Sequence, residues 1–483
     1  MSINSLLDIG LTGLTAQQMA LDVTSDNITN VNTPGYARQT AVLETAPTMV
    51  VNGIPLGSGV QVTTVQRAYD SFLQSQMVAE NSASGQATTT NTTLQMVQTQ
   101  FNDLNSAGLS TSLQGFFSAW QDLSANPSGV PERQAVLAAG QQLADNFNQA
   151  ATSLTDEQAS MNQSLPGLTS NINNQLNQIA QLNGQIEEAQ AQGGQANDML
   201  DQRDLLVQQL ATNVGVSATT QSDGSISVNL SSGQALVTGT KAATLSLQTD
   251  AANSGNYDVM LAPPGGGATT NTTSFIGGPG NSLGNLGATL QIRDTTLNGY
   301  LSSLNELAST LVTQVNAVQS AGYGLTGVTG VDFFNPATPT SPVTAANIAV
   351  GITSASNVAA AAADPTSAAG GTGDNLNAQS MANLYTAPLP MTGGTMTMGD
   401  FYDALVGQVG VDVQSAGVAQ TQTTSMVSQL ANLQNSNSGV DLDEELTNLT
   451  SYQYAYQGAA KLITVGSEML DTLLGLVGVA TSG

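Results

Sequence analysis

From Leu442 an apolar residue recurs at every seventh position, through Leu449, Tyr456, Ile463, Leu470 and Val477. A second column, Leu446, Gln453, Ala460, Ser467 and Leu474, interleaves with it in a 4-3 alternation. That is the period of a coiled-coil seam, narrower than the apolar stripe of an ordinary surface helix. Its start is marked as well: Asp441 is placed to cap the helix and Glu444 follows three residues on, a capping box. At ~1.5 Å per residue the seam makes a rod of roughly 53 Å. Such a rod needs a partner. Near the other end Leu7, Leu14, Leu21 and Ile28 repeat at the same interval, so the two ends are expected to fold back into a pair with the middle of the chain looped out. Gln18, Ser25, Gln453 and Ser467 weaken the second columns, so both helices are expected to order fully only within an assembly. The same pattern also fits two core helices of one compact domain.

Composition removes whole classes of chemistry. Asp and Glu number 34 against 7 Lys and Arg, a formal charge of −27, yet only 8% of the 483 residues are charged. Such a chain has little with which to neutralise phosphates, so no nucleic-acid partner is expected. Without His or Cys there is no Ser-His-Asp or Cys-His nucleophile, no zinc site built on those ligands and no disulfide. Thr240 precedes Lys241 and Ala460 precedes Lys461, which excludes a P-loop. The first basic residue is Arg38, so the charged region of a secretory signal is missing, and no apolar run reaches membrane-spanning length. No cofactor, metal or membrane insertion is expected. Composition alone reads as soluble and cytoplasmic.

The N-terminal helix runs out in Asn27-Ile28-Thr29-Asn30-Val31-Asn32-Thr33-Pro34-Gly35-Tyr36-Ala37-Arg38-Gln39. Pro34-Gly35 is a turn pair and Pro34 pushes Thr33 out of the helical region, so an arm is expected here, with Tyr36 and Arg38 facing a neighbour. The Asn-Ile-x-Asn run leading into Thr-Pro-Gly-Tyr-x-Arg-Gln resembles the N-terminal motif of the hook-associated protein 1 family, the first hook–filament junction proteins of the bacterial flagellum. Ser438-Gly439-Val440-Asp441-Leu442-Asp443-Glu444-Glu445-Leu446, with Tyr452-Gln453-Tyr454-Ala455-Tyr456-Gln457 after it, resembles the family's C-terminal stretch. Rod and hook proteins share the general pattern, but Thr-Pro-Gly-Tyr followed by Arg-Gln favours the junction family. Thr29 and Ala37 depart from the Ala and Ser expected at their positions.

Between the ends, residues 40–68 read as extended and turn-rich, and helical patterns dominate from Ser71 to about Ala211. Asp198, Asp201, Arg203 and Asp204 cluster at one helix start. They read as a structural group in which Arg203 relieves the acidic crowding, not as a metal or acid–base site. Asp201-Gln202-Arg203-Asp204 is also similar to the family. Alternation from Val214 through the Ser222-Asp223-Gly224 turn to Leu261 predicts a small β domain at 213–287, its strands closing on themselves. Its Gly-rich runs lack the spacing of a phosphate cradle. Helix resumes with Leu290, Leu297, Leu304, Leu311 and Val318, and Val331-Asp332-Phe333-Phe334 again resembles the family. Short helices are expected near 344–348, 355–362 and 376–385, then a long one from about Asp400 to Gln434. Polar residues Asn435–Gly439 are expected to hinge into the terminal rod.

The predicted fold is mainly α with an inserted small β domain. It comprises an N-terminal helix and arm (1–40), a helical body in two parts (41–212 and 288–437) interrupted by the insertion (213–287), and a C-terminal helix (438–483) paired with the first. The resemblance implies more: a non-enzymatic adaptor, exported by the flagellar type III apparatus without a cleaved signal, that forms an axial ring at the hook–filament junction. The implied partners are further copies, the hook protein, the second junction protein, flagellin indirectly, and an export chaperone that holds the C-terminal helix. The expected assembly residues are Leu7, Leu14, Leu21, Ile28, Asn30, Thr33, Pro34, Gly35, Tyr36, Arg38, Leu442, Leu449, Tyr456, Ile463, Leu470 and Leu474. The nearest alternative is a hook or distal-rod protein. A carboxylate-based hydrolase would need an aromatic-lined cleft that a 4% aromatic chain with one Trp is poorly equipped to build. A surface adhesin or Ca²⁺-binding protein is the other alternative, but Asp441–Glu445 lacks the mid-loop Gly and terminal Glu of an EF-hand.

Overall fold

The computed structural model describes residues 3–51, 54–101, 108–278, 284–336, 341–367 and 371–480. Helix α1 (Ile3–Thr29) leads through the arm into strand β1 (Gln39–Thr45), a tip hairpin β2 (Met49–Val51) and β3 (Ile54–Leu56), and β4 (Val60–Arg67), which returns antiparallel to β1. Asp70 then caps α2 (Ser71–Gln100), its carboxylate accepting from the Phe72 and Leu73 amides at 2.9 and 3.1 Å. The helices α3 (Leu109–Ala125), α4 (Val130–Ala191) and α5 (Asn197–Asn213) follow. Next come β5 (Val216–Thr220), β6 (Ile226–Leu230), β7 (Ala235–Thr238) and β8 (Lys241–Ala242) in one antiparallel sheet, taken in that order. Strands β9 (Thr244–Thr249), β10 (Tyr257–Ala262) and β11 (Thr270–Asn271) make a second.

A short α6 (Thr273–Ile276) precedes α7 (Gly284–Gln291), a π-helical turn at Ile292–Thr296 and α8 (Leu297–Ala321), one continuous rod. Two small hairpins, β12 (Phe334–Pro336) with β13 (Ile348–Val350) and β14 (Leu389–Met391) with β15 (Gly394–Met396), flank α9 (Leu376–Asn383). The chain closes with α10 (Met398–Ser438) and α11 (Leu442–Ala480). Segment 344–348 is a turn and 355–357 a single 3₁₀ turn, so of the three expected short helices only the third is α-helical. Val358–Ala361 are buried in an extended path, its backbone held by the Gln319 side chain and by Tyr323, so no helix continues there.

Two separate apolar cores hold the body. The first gathers α3, the first half of α4, α8, α9, α10 and the end of α2. Its centre is aromatic: Phe116, Trp120, Phe147, Phe333 and Phe334 are fully buried, with Phe333 and Phe334 edge-on at 4.8 Å between centroids. Phe333 packs against Gly140 of α4, where a Cβ would come within 2.6 Å of its ring. The second core joins the far half of α4 to α5, α7 and the inserted strands, through Leu165, Ile172, Leu176, Ile179, Val228, Leu236 and Val259. The expectation that the strands close on themselves is therefore wrong: they complete their core on α4. Two asparagines of that helix pin them there. Asn173 donates to the Leu245 carbonyl and accepts from its amide, both at 2.8 Å. Buried Asn183 bridges the Ile226 and Gly239 carbonyls and accepts from the Ile226 amide. Two-stranded ribbons and small sheets need such a backing to be stable.

Candidate assembly interface

Helices α1 and α11 pack antiparallel, and their buried axis is made of small residues. Gly10 abuts Ala459 and Ile463, Gly13 abuts Ala459, and Gly466 abuts Leu6 and Leu7. In α1 the buried positions are Gly10, Ala16, Ala20, Thr24 and Asn27. Leu7, Leu14, Leu21 and Ile28 are only half-buried beside them. On α11 the predicted column Leu449, Tyr456, Ile463 and Leu470 does face inward, half-buried; the Val477 side chain lies outside those described.

The interleaving column is different from the one expected. Glu445, Tyr452, Ala459 and Gly466 alternate with the leucine column, one residue earlier than Leu446, Gln453, Ala460 and Ser467. Both Gln453 and Ser467 point to solvent and do not interrupt the seam. Hydropathy favoured Leu446 over Glu445, but backbone approach selects small residues, and a one-residue change turns a helix by about 100°. The consequence is an apolar surplus outside the pair: Leu11 and Met19 on α1, and Leu442, Leu446, Leu462, Met469, Leu473 and Leu474 on α11, Leu474 being 61% exposed.

The arm is built oppositely, from polar groups that are almost all partnered. Pro34 and Thr33 are exposed, and Gly35 sits at φ +82°, where a Cβ would also meet the Leu205 side chain at 3.1 Å. Asn30 donates to the Asp26 carboxylate at 3.0 Å and accepts from the Thr33 hydroxyl at 3.1 Å, a local fold of the helix end. Asn27, which is 1% exposed, joins α1 to the ribbon: its amide donates to the Gln39 carbonyl at 2.8 Å and its oxygen accepts from the Gln39 amide at 2.9 Å. The Tyr36 hydroxyl donates to that same oxygen at 2.9 Å. Tyr36 thus faces its own chain, contrary to expectation. Burial, with Asp26, Asp198 and Asp201 nearby, pushes its phenol well above the ordinary range.

The acidic helix start at α5 is the arm's anchor. Asp201 accepts from the Ala37 amide at 2.9 Å, and Asp198 accepts from the Gln39 side chain at 2.8 Å. The cation that neutralises it is Arg67 from the end of β4, at 2.7 Å from Asp201 and 2.8 Å from Asp204, with its guanidinium over the Tyr69 ring at 4.1 Å. Arg203, the expected partner, turns the other way and donates to Asn183 and to the Gly224 carbonyl at 3.1 and 2.7 Å. Adjacent residues on a helix point about 100° apart, so Arg203 and Asp204 cannot share a direction, whereas a strand end can deliver Arg67 to both carboxylates. Burial pushes Asp201 and Asp204 above the usual carboxylate range; Arg67 holds that rise in check at both, and the charge of Arg203, though not in contact, also pulls Asp204 down. A cavity of about 110 Å³ lies beside this cluster, between the arm and the end of α10.

Arg38 binds the start of α11. Its amide donates to the Ser438 carbonyl at 2.8 Å, and its guanidinium meets Glu444 at 2.7 Å and buried Glu445 at 3.8 Å. Asp441 caps α11 as expected, accepting from the Asp443 and Glu444 amides at 2.9 and 3.3 Å. Glu444 reaches Arg38, so the capping box is only half made. The expected hinge is shorter too: α10 stays helical to Ser438, and only 439–441 separate it from α11. All five arginines of the chain sit between segments distant in sequence or fold; the remaining two, Arg133 and Arg293, bind the Val358 carbonyl and Asn162. Asn27 and Arg67 lie outside the expected assembly set: Asn27 precedes the arm within its motif, and nothing local in the sequence links Arg67 to α5.

This geometry has relatives. The flagellar hook-associated protein FlgK helical domain matches residues 94–334, from the end of α2 to β12. The flagella basal body rod protein family matches 7–36, and the flagellar basal body rod FlgEFG protein C-terminal family matches 434–476, the two halves of the helix pair. Flagellar hook-associated protein 1 of Bacillus subtilis is 29% identical over 497 residues, covering 98% of each chain. That of Salmonella typhimurium is 28% identical over 558 residues, covering 98% of this chain and all of the relative. The chain belongs to the flagellar hook-associated protein 1 family. The fold agrees: the hook junction protein FlgK of Burkholderia pseudomallei superposes with a TM-score of 0.66 at 18% identity, over 75% of this chain and 100% of that one. As a hook-associated protein the chain is a structural component of the flagellum, acting as an adaptor at the hook–filament junction. Its relatives are structural flagellar proteins.

Proposed function

We propose that the chain performs this role as an axial ring of identical copies, seated on the hook protein and receiving the second junction protein, with flagellin held indirectly. The observation that carries the reading is the apolar surplus on the paired ends: Leu11, Met19, Leu442, Leu446, Leu462, Met469, Leu473 and Leu474 stay exposed although α1 and α11 already cover each other. Monomeric soluble surfaces seldom carry so many large apolar groups together, and such surfaces mark association sites. The half-buried Leu7, Leu14, Leu21, Ile28, Leu449, Tyr456, Ile463 and Leu470 border the same surface. The arm from Asn30 to Gln39 sets its angle. Before assembly an export chaperone covers α11, and the chain leaves through the type III apparatus without cleavage. The paired ends (1–40 and 438–483) form the axial part, the helical body (41–212 and 288–437) the middle, and the insertion (213–287) the outward part.

The test is Leu462→Glu with Met469→Glu, both exposed on α11 and outside the α1 seam. The double variant is expected to be secreted and folded, with hooks that lack filaments. Normal filaments with the variant at the junction would overturn the reading, and loss of the hooks themselves would assign the chain to the hook or rod.

A further inference from the structure

The two apolar cores meet at one level, and each of the three helical rods that contributes to both is weakened there, while α10 passes the same level unbroken without entering the second core. Helix α2 passes from Val78 in the second core to Leu94 in the first. Between them it reads Asn81-Ser82-Ala83-Ser84-Gly85-Gln86-Ala87-Thr88-Thr89-Thr90-Asn91-Thr92-Thr93, dominated by poor helix formers. Helix α4 crosses between Met161 and Leu165, and the next two residues are Pro166 and Gly167, both exposed. Pro166 removes the helical hydrogen bond to the Asn162 carbonyl, and Gly167 adds backbone freedom. The third rod crosses between Leu290 and Ile292, where α7 gives way to the π-helical turn. A π-turn is an extra residue accommodated in an α-helix at a cost in backbone geometry.

What fills the level between the cores is polar and loosely packed. Buried Arg293 of the π-turn grips the adjacent Asp294 and donates to Asn162 at 2.7 Å, and Gln158 donates back to the Arg293 carbonyl at 3.0 Å. Asn91 donates to Gln420 of α10 at 2.5 Å, and Thr89 to Asn285 at 3.1 Å. A groove of about 480 Å³ opens at the same level, lined by Ala87, Leu94, Thr296, Ala416 and Ala419 among others. Hydrogen bonds between side chains tolerate small rotations that interlocked apolar side chains resist, and an underfilled groove leaves room for them.

We infer that this level is a built-in flexure, about which the two cores tilt as rigid bodies. It rests on the fold alone and not on the assembly reading. Bending is confined to Asn81–Thr93, Asn162–Gly167 and Ile292–Thr296, with the Arg293–Asn162 contact as the pivot, and helices continue through it without breaking.

The chain contains no cysteine, so label pairs can be placed cleanly. Nitroxides at Gln121→Cys on α3 and Glu188→Cys at the far end of α4 span the level; Gln121→Cys with Gln142→Cys stays within the first core. Pulsed electron resonance of the full chain is expected to give a spanning distance distribution at least about twice as broad as the within-core one. Pro166→Ala, which restores a helical hydrogen bond at an exposed site, is expected to narrow it, and adding deletion of Thr295 to narrow it further. A spanning distribution as narrow as the within-core control overturns the flexure. So does an unchanged width in folded Pro166→Ala.

Discussion

The arm clamp and the α1–α11 seam lie side by side and are built by opposite means. In the clamp nearly every polar group has a named partner: Asn27 with Gln39 and Tyr36, Asp201 with Ala37 and Arg67, Asp204 with Arg67. In the seam the contact axis is Gly and Ala, and the large apolar side chains remain half or wholly exposed. Buried polar networks tolerate one geometry only, because each misplaced group costs its desolvation. Apolar contacts between small residues tolerate sliding. The clamp thus fixes where the helix pair leaves the body, and the seam leaves its large side chains partly or wholly exposed.

Four substitutions sharpen or break this contrast. Arg67→Gln is expected to be the most damaging, at about 3–5 kcal/mol, since it strands two buried carboxylates. Its pH dependence is distinctive. Asp201 and Asp204 already lie above the usual carboxylate range because of burial, and removing Arg67 raises them further. Folded carboxylates that bind protons more readily than unfolded ones, near ~3.9, stabilise the fold below that value and lose the contribution as pH rises through the folded value. The deficit against the parent chain is therefore expected to be largest at neutral pH and to shrink on acidification, as read by urea unfolding at several pH values. A deficit that grows on acidification would contradict the clamp's electrostatics.

Gly35→Ala comes next. It combines a left-handed backbone with a Cβ pressed on Leu205, and about 1–3 kcal/mol of stability should be lost in thermal unfolding. An unchanged melting temperature would mean the turn relaxes freely. Arg38→Ala removes a screened contact to half-exposed Glu444, worth within about 1 kcal/mol, and also the cation 3.8 Å from buried Glu445, so a total loss of about 1–3 kcal/mol is expected. Its effect should appear also as faster proteolysis near residue 439, where α10 and α11 part. Equal proteolysis of variant and parent would remove Arg38 from the joint. Tyr36→Phe deletes the hydroxyl that reaches Asn27, so a loss of about 1 kcal/mol is expected in thermal unfolding. Because that hydroxyl faces inward, incorporation at the junction should persist in the variant.

By itself the sequence determined the periods and the stops. The heptad columns at the two ends, the alternation from Val216 to Leu261 around Asp223-Gly224, the Asp441 cap and the helix stop before Pro34 are local properties of φ/ψ, side-chain direction and turn chemistry. The arm's motif likewise lay in plain view between Asn27 and Gln39. Only the tertiary structure decided which neighbouring column enters the α1–α11 seam, because Gly466 and Ala459 are silent in hydropathy yet allow two backbones to approach. It decided that Arg67, more than a hundred residues away, makes the direct ion pairs with Asp201 and Asp204, while adjacent Arg203 acts on Asp204 only through its charge. It also separated two identical dipeptides: Pro34-Gly35 ends α1, while α4 runs on through Pro166-Gly167. The reason is what lies on either side. Leu165 and Thr169 are buried and hold α4 in register across Pro166, whereas beyond Pro34 Asp201 and Asn27 capture the Ala37 and Gln39 amides and draw the chain into an extended path.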